Sequence, residues 1–251
     1  MRIMVAPTGA RRSKADHPGL PISVAEIAAS AAACQAAGAE ALHLHVRDVQ
    51  GQHTLDAGRY REAIAELRHA APGMAIQITT EAAGMFGPSD QLACLAALRP
   101  DWASLAPREI KESSRTARQI YAQAADQGTR LQHILHAPAD LDLLLRWRAL
   151  GWVPDDSPEV IAVLGRYAPA RAASPQDVDD FLVQPGAGLV RWSFCAFGAT
   201  EPVALAHAAP RADWLRVGFE NNIHDDHGQV LPDNAASVRA LQAALVAQVT
   251  E

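Results

Sequence analysis

The feature that most constrains this chain is the regular alternation of short apolar, strand-forming runs with longer alanine-rich helical runs from one end to the other. Strands are predicted over Arg2–Ala6, Ala41–Val46, Ala75–Thr80, Trp102–Leu105, Leu131–His136, Val160–Gly165, Leu189–Phe194 and Trp214–Phe219. Helices are predicted over Val24–Ala37, Ala57–Ala70, Ser89–Leu98, Arg115–Gln127, Asp140–Ala149, Pro175–Leu182 and Asn234–Val249. The stretch Gly198–Ala212 is too irregular to assign a helix with the same rules. Ser23 with Glu26 forms a capping box, Pro175 after Ser174 marks a first helical position, and Gly38 and Gly128 mark helix ends. Eight strands in 251 residues make units of about 31 residues, the scale of one closed (β/α)8 TIM barrel spanning residues 1–251. A doubly wound open sheet uses the same right-handed β-α-β units and is the competing architecture.

Composition removes several function classes. There are 22 lysines and arginines against 28 aspartates and glutamates, a net charge of −6, and the chain lacks the basic run that phosphate neutralisation requires. Nucleic acid is therefore not an expected partner. Three cysteines, Cys34, Cys94 and Cys195, are odd in number and far apart, which argues against a disulfide framework and against a thiolate metal site. The opening segment reaches a charged loop too soon for a signal peptide, and no run approaches the roughly 20 apolar residues of a membrane span. These features together predict a cytoplasmic protein with no membrane partner.

The segment Ala41-Leu42-His43-Leu44-His45-Val46-Arg47-Asp48 carries the chemistry. Residues two apart on a strand point to one face, so His43 and His45 project side by side while Leu42, Leu44 and Val46 face the other way. They fall at the carboxyl end of the second strand, where barrel active sites are built. Two imidazoles on one rigid strand suit a divalent metal such as zinc; two packed, hydrogen-bonded histidines are the plainer reading. A third ligand should leave a strand that approaches the second in space. In a closed barrel the eighth strand and the second both flank the first, and Glu220 lies at the carboxyl end of the eighth, on the face of Arg216 and Gly218. Two histidines and a glutamate with an open fourth position is the pattern of a catalytic zinc site.

Several ordered segments resemble the beta-keto acid cleavage enzymes: Ala6-Pro7-Thr8-Gly9-Ala10-Arg11-Arg12-Ser13-Lys14-Ala15-Asp16-His17-Pro18, Leu20–Ile27, the His43–Asp48 segment, Gln77–Thr80, Ala103–Leu105 and Arg216–Glu220. The resemblance implies a zinc-dependent (β/α)8 barrel, usually a homotetramer. It also implies conversion of a β-keto acid and acetyl-CoA into acetoacetate and a new acyl-CoA. It places His43, His45 and Glu220 on the metal ligands, Thr79, Thr80 and Ser104 on substrate-holding positions, and Arg216 on an active-site arginine.

The departure is Asn221. Typical members carry aspartate directly after the ligand glutamate, and the resemblance assigns that aspartate to activating the substrate as a base. An amide has no comparable proton acceptor. Asp48, Glu81, Glu109 or a zinc-bound hydroxide are the candidate replacements, with altered chemistry or binding without turnover as further readings. Arg11, Arg12 and Lys14 form a cationic loop on the metal's side of the barrel, which favours a neutral or acidic substrate tail or the phosphates of CoA over an ammonium tail.

A metal-dependent hydrolase of amidohydrolase type also uses an HxH strand. That scheme places the pair on strand one and wants a histidine on strand six, where Val160–Gly165 has none. A zinc-containing binding protein without turnover is the non-enzymatic alternative. Of the remaining histidines, His136 ends the fifth strand facing the same pocket and His133 faces away. His17, His224 and His227 are expected in loops without partners, the last two in a solvated turn.

Overall fold

The computed structural model describes residues 1–250. In chain order the strands are β1 (Arg2–Val5), β2 (Ala41–Leu44), β3 (Val46–Arg47), β4 (His53–Thr54), β5 (Ala75–Thr79), β6 (Trp102–Leu105), β7 (Arg130–Leu135), β8 (Glu159–Leu164), β9 (Arg191–Ala196) and β10 (Trp214–Val217). The helices are α1 (Val24–Ala36), α2 (Ala57–Ala70), α3 (Pro88–Leu98), α4 (Pro107–Ile110), α5 (Ser114–Gln127), α6 (Pro138–Ala149), α7 (Pro175–Leu182), α8 (Glu201–Ala208) and α9 (Asn234–Thr250). Eight strands close a parallel barrel in the order β1-β10-β9-β8-β7-β6-β5-β2, and β3 pairs with β4 in a separate antiparallel hairpin. Closure decides against the open sheet. β1 pairs on one side with β10 (Met4 opposite Arg216) and on the other with β2 (Met4 opposite Ala41).

Period-two alternation sorts each strand's side chains. Leu42, Leu44, Ile78, Leu105 and Leu215 point outward into the main apolar core, where they meet Ile27, Tyr60, Leu67, Leu95 and Ile120 of the surrounding helices. Each such buried aliphatic side chain contributes about 2 kcal/mol, so this layer supplies most of the adhesion between helices and barrel. Met4, Ala41, Trp102 and Trp214 fill the barrel's amino end, the two indoles 5.7 Å apart. The cysteines are all free and buried. Among the described residues no helix is long and apolar enough to cross a membrane.

Local signals match the helix starts and ends. Ser23 and Glu26 form the capping box at α1, and Gly128 closes α5 in the left-handed conformation. Differences concentrate in the irregular connections. The seventh barrel strand begins at Arg191, because a 3-10 turn occupies Ala187–Leu189 and pairing starts only where Arg191 meets Glu159. Gly198–Ala212 contains α8, started by Pro202 near its first turn. The predicted strand Ala41–Val46 ends at Leu44, and Val46–Arg47 pairs instead with His53–Thr54 in the β3–β4 hairpin.

Candidate metal centre and active-site cavity

The floor of the cavity is built by two strand ends that flank β1. β2 carries His43 and ends at Leu44, and His45 follows directly, the two rings 5.0 Å apart. β10 ends at Val217, and Gly218 (φ 130°) then turns the chain back onto β1, so that the Glu220 amide donates to the Ala6 carbonyl at 3.1 Å. A Cβ at position 218 would lie 2.5 Å from that carbonyl oxygen, so only glycine permits the approach. One ligand atom from each of His43, His45 and Glu220 lies within 4.8 Å of the other two. Glu220 Oε2 is 3.2 Å from His45 Nε2 and 3.8 Å from His43 Nε2.

These residues fit a metal ion. Bonds of about 2.1 Å in a tetrahedral zinc site place ligand atoms about 3.4 Å apart, which the separations of 3.2 and 3.8 Å bracket. His45 Nε2 and Glu220 Oε2 are buried and make no hydrogen bond despite their closeness, as lone pairs aimed at a shared point would. A chain of amides sets the tautomer of His43. Gln77 Nε2 donates to Gln132 Oε1 at 3.0 Å, and Gln132 Nε2 donates to Ser193 Oγ at 3.2 Å. Gln77 therefore presents Oε1 to His43 Nδ1 at 2.7 Å, which puts the ring proton on Nδ1 and leaves Nε2 free as a ligand.

Electrostatics favour the ligand forms. Burial, with Arg216 nearby, pushes the His43 imidazole down to about 3, so it is neutral. Burial alone would push the Glu220 carboxyl up, but Arg216 and the two imidazoles hold it well below the usual carboxylate range. Arg216 is buried and donates to Glu220 Oε1 at 3.0 Å, Cys195 Sγ at 3.3 Å and Asn221 Oδ1 at 3.5 Å. It therefore acts first on the ligand carboxylate.

Above this floor opens a cavity of about 930 Å³ lined by the loops that follow the barrel strands, with Thr8, Arg11, Arg12, His43, Thr79, Glu81, Arg108, His136, Arg216 and Glu220 among its walls. Thr79 and Thr80 part company there. Thr79 lines the cavity, and its Oγ1 accepts from the Glu81 amide at 3.0 Å and from Ser104 Oγ at 3.3 Å, leaving its own O–H to donate inward. The Thr80 hydroxyl instead donates to the Ser104 carbonyl at 2.9 Å and does not line the cavity. Adjacent residues on an extended chain face opposite ways, so the direct substrate contact expected of Thr80 does not hold. Ser104 reaches the cavity only through Thr79.

The cationic loop also divides. Arg11 and Arg12 line the cavity, Arg11 lying 3.9 Å from Glu81 and Arg12 donating to the Asn221 carbonyl at 3.4 Å. Lys14 turns away to pair with Glu26 at 2.7 Å. Asp48 does not line the cavity, and its Oδ1 accepts from the Gln50 and Gln52 amides in the hairpin turn. Glu81 and Glu109 both line the cavity; Glu109 Oε2 accepts from the Ala82 amide and from Gln91, whereas the Glu81 carboxylate lies 3.9 Å from His45 Nε2. Asn221 is buried beside Arg216, with its Nδ2 unpartnered.

His136 lines the cavity and His133 faces outward, stacked on Tyr121 and bonded to the Glu159 carbonyl. His17 corrects the expectation of a partnerless loop residue: it is buried, 2.8 Å from the Leu231 carbonyl and packed on Phe219. His227 falls in an exposed turn held by Asp225 and lies 3.8 Å from Asp226, whereas His224 is half-buried, its amide donating to Asn222 Oδ1 and its backbone bridged to Val230. Sequence reasoning assigned no role to Gln77, although its register opposite His43 places it on the inward face. Nor did it assign one to Arg47, which holds the loop after β1 by donating to the carbonyls of Gly9 and Arg12.

The chain resembles known proteins over nearly its whole length. A model of the beta-keto acid cleavage enzyme family matches residues 1–249. The 3-oxoadipate:acetyl-CoA acetyltransferase of Cupriavidus necator is 28% identical, over 96% of this chain and 87% of its own. A 3-keto-5-aminohexanoate cleavage enzyme of Fusobacterium nucleatum is 25% identical, over 94% and 88%. Among solved structures, apo ObcA superposes with a TM-score of 0.71 at 15% identity over 92% of this chain, which spans only 63% of ObcA's length; that likeness concerns the fold. The family match over nearly the whole chain identifies the protein as a member of the beta-keto acid cleavage enzyme family.

Proposed function

We propose that the protein is a zinc-dependent acyltransferase that converts a β-keto acid and acetyl-CoA into acetoacetate and a new acyl-CoA. The observation that carries this reading is the His43–His45–Glu220 cluster at the floor of the cavity in a chain of this family. The names of the two relatives, which pair keto acids with cleavage or acetyl transfer, agree with it. Zinc held there supplies Lewis-acid polarisation of the keto oxygen.

The chain's own residues do the rest. The free O–H of Thr79, supported by Ser104, donates to the substrate carboxylate. Glu81 takes a proton from the carbon between ketone and carboxylate, the task Asn221 is unable to perform. That carbon attacks the acetyl thioester and CoA thiolate leaves. The thiolate then attacks the original ketone carbon, whose bond to the central carbon breaks, giving the new acyl-CoA. Acetoacetate departs as its enolate and recovers the proton from Glu81. Asn221 positions the pair of arginines that meet it, Arg216 through its Oδ1 and Arg12 through its carbonyl. Arg11 flanks Glu81 at the rim. The family's usual homotetramer is the expected assembly, measurable by sedimentation.

Incubating the protein with acetyl-CoA and a β-keto acid panel tests the reading: acetyl-CoA-dependent acetoacetate supports it. Turnover without acetyl-CoA points to hydrolysis, and binding without product to a binding protein. Zinc retained in full by His43→Ala contradicts the ligand assignment. Glu81→Gln should abolish turnover, and a large gain in Asn221→Asp would remove Glu81 from the base role.

A further inference from the structure

The loop after β1 carries a polar group that the proposed reaction does not use. Thr8 is buried and lines the cavity, yet its hydroxyl oxygen has no hydrogen-bond partner among the described residues. A hydroxyl left unpaired away from water costs stability, because it loses hydration and gains nothing in return. Valine would fill the same volume without that cost. The nearby carbonyls are already engaged: those of Ala6, Pro7 and Gly9 accept from the Glu220 amide at 3.1 Å, Asn234 Nδ2 at 3.3 Å and Arg47 Nη2 at 2.6 Å. The backbone on either side of Thr8 is therefore pinned, and its hydroxyl is left to bind something from the cavity.

Strand register puts that hydroxyl at the level of the metal floor. Val5 of β1 stands opposite Val217 of β10 on one side and Leu42 of β2 on the other. Thr8 follows Val5 by three residues, as Glu220 follows Val217 and His45 follows Leu42. Because β1 runs between the other two strands, Thr8 rises between the ligand glutamate and the ligand histidines. The approach is close: a Cβ on the next residue, Gly9, would lie 2.7 Å from Glu220 Cγ. Thr79, the donor assigned to the substrate carboxylate, ends β5 on the far side of β2. The two hydroxyls thus flank the histidine strand, one for each end of a β-keto acid.

In the proposed cleavage the keto oxygen at this floor takes on negative charge twice. Charge collects there first when the proton leaves the central carbon, and again when CoA thiolate adds to the ketone carbon. We propose that Thr8 is a catalytic residue, its hydroxyl donating a hydrogen bond to that oxygen in both steps. This rests on the proposed keto acid cleavage, with the substrate carboxylate at Thr79. The O–H bond of Thr8 is not broken at any stage. Its hydrogen bond strengthens as charge develops, and it relaxes when the carbon–carbon bond breaks and the electron pair on oxygen re-forms the carbonyl of the new acyl-CoA.

Valine and serine at position 8 separate the hydroxyl from the shape of the side chain. Thr8→Val should lower kcat about 100-fold while KM for either substrate stays within about threefold, and Thr8→Ser should recover most of the loss. A loss confined to KM, or one of equal size in both variants, overturns the proposal. Zinc affinity of Thr8→Val, read by competition with a chromogenic chelator, should stay within about twofold of the unaltered protein. A fall as large as the fall in kcat assigns the hydroxyl to the ligand Glu220 and overturns the proposal as well. Binding without turnover is read by calorimetry on the zinc-loaded protein with two unreactive probes. Malonate puts a charged oxygen where the keto oxygen lies, and malonamate puts a neutral amide oxygen there. Thr8→Val should weaken malonate about tenfold and malonamate less than about twofold, and equal weakening of the two overturns the proposal. Should the unaltered protein turn over no β-keto acid at all, the proposed function fails while the malonate and malonamate pair still decides the role of Thr8.

Discussion

His43 Nδ1 lies 2.7 Å from Gln77 Oε1, and that contact decides which nitrogen of His43 faces the cavity. Gln77 is itself fixed by Gln132 and, through it, by Ser193. Replacing Gln77 by leucine keeps the volume and removes the acceptor. Zinc affinity should then fall by about 10- to 100-fold, measured by competition with a chromogenic chelator. Gln132→Leu should have a smaller effect in the same direction, and wild-type affinity in Gln77→Leu would refute the orienting role.

Gly9 makes room for the third ligand. It has φ 65°, and a Cβ added there would lie 2.7 Å from Glu220 Cγ. Gly9→Ala should displace the Glu220 carboxylate and lower metal occupancy, read by elemental analysis. The left-handed backbone should also cost about 1 kcal/mol of stability in denaturant unfolding. Full occupancy with an unchanged unfolding midpoint would show that this loop tolerates the side chain.

Thr79 and Thr80 should separate in a valine pair. Thr79→Val removes the donor that faces the cavity and also the acceptor of the Glu81 amide and the Ser104 hydroxyl, so kcat/KM for the β-keto acid should drop about tenfold and stability should fall by about 1 kcal/mol as well. Thr80→Val removes a buried donor to the Ser104 carbonyl, so stability should drop by about 1 kcal/mol while KM stays within about twofold. Steady-state kinetics beside chemical unfolding reads both, and equal kinetic losses in the two variants would overturn the distinction.

Acid should destabilise the protein through His133, which lies well away from the metal floor. Burial pushes its imidazole down to about 4. Its folded value is below the unfolded one, so between roughly pH 6.5 and 4 the unfolded chain binds a proton that the native protein does not. Its contribution is therefore intact above that window and is lost as pH falls through it. His133→Gln keeps a donor for the Glu159 carbonyl and removes the titration. The loss of unfolding free energy between pH 7 and pH 5 should be about 2 kcal/mol smaller in the variant than in wild type. Parallel pH profiles for the two proteins would exclude His133 as a source of the acid sensitivity.

Strand positions, the capping box at Ser23, the shared face of His43 and His45, and the place of Glu220 at a strand end all follow from local periodicity, which is written into neighbouring residues. Closure of the barrel, by contrast, depends on β1 accepting β2 and β10 together, a pairing across more than 200 residues in sequence. Only that tertiary contact brings Glu220 to the two imidazoles and Gln77 to His43. Loop chemistry was least legible, because a loop side chain chooses among partners that distant segments supply. Lys14 found Glu26, His17 found Leu231, and Asp48 closed its own turn. Local periodicity sets which faces are apolar and which carry ligands; the three-dimensional fold sets which charged side chains pair over the cavity, because pairing depends on distances that no local pattern encodes.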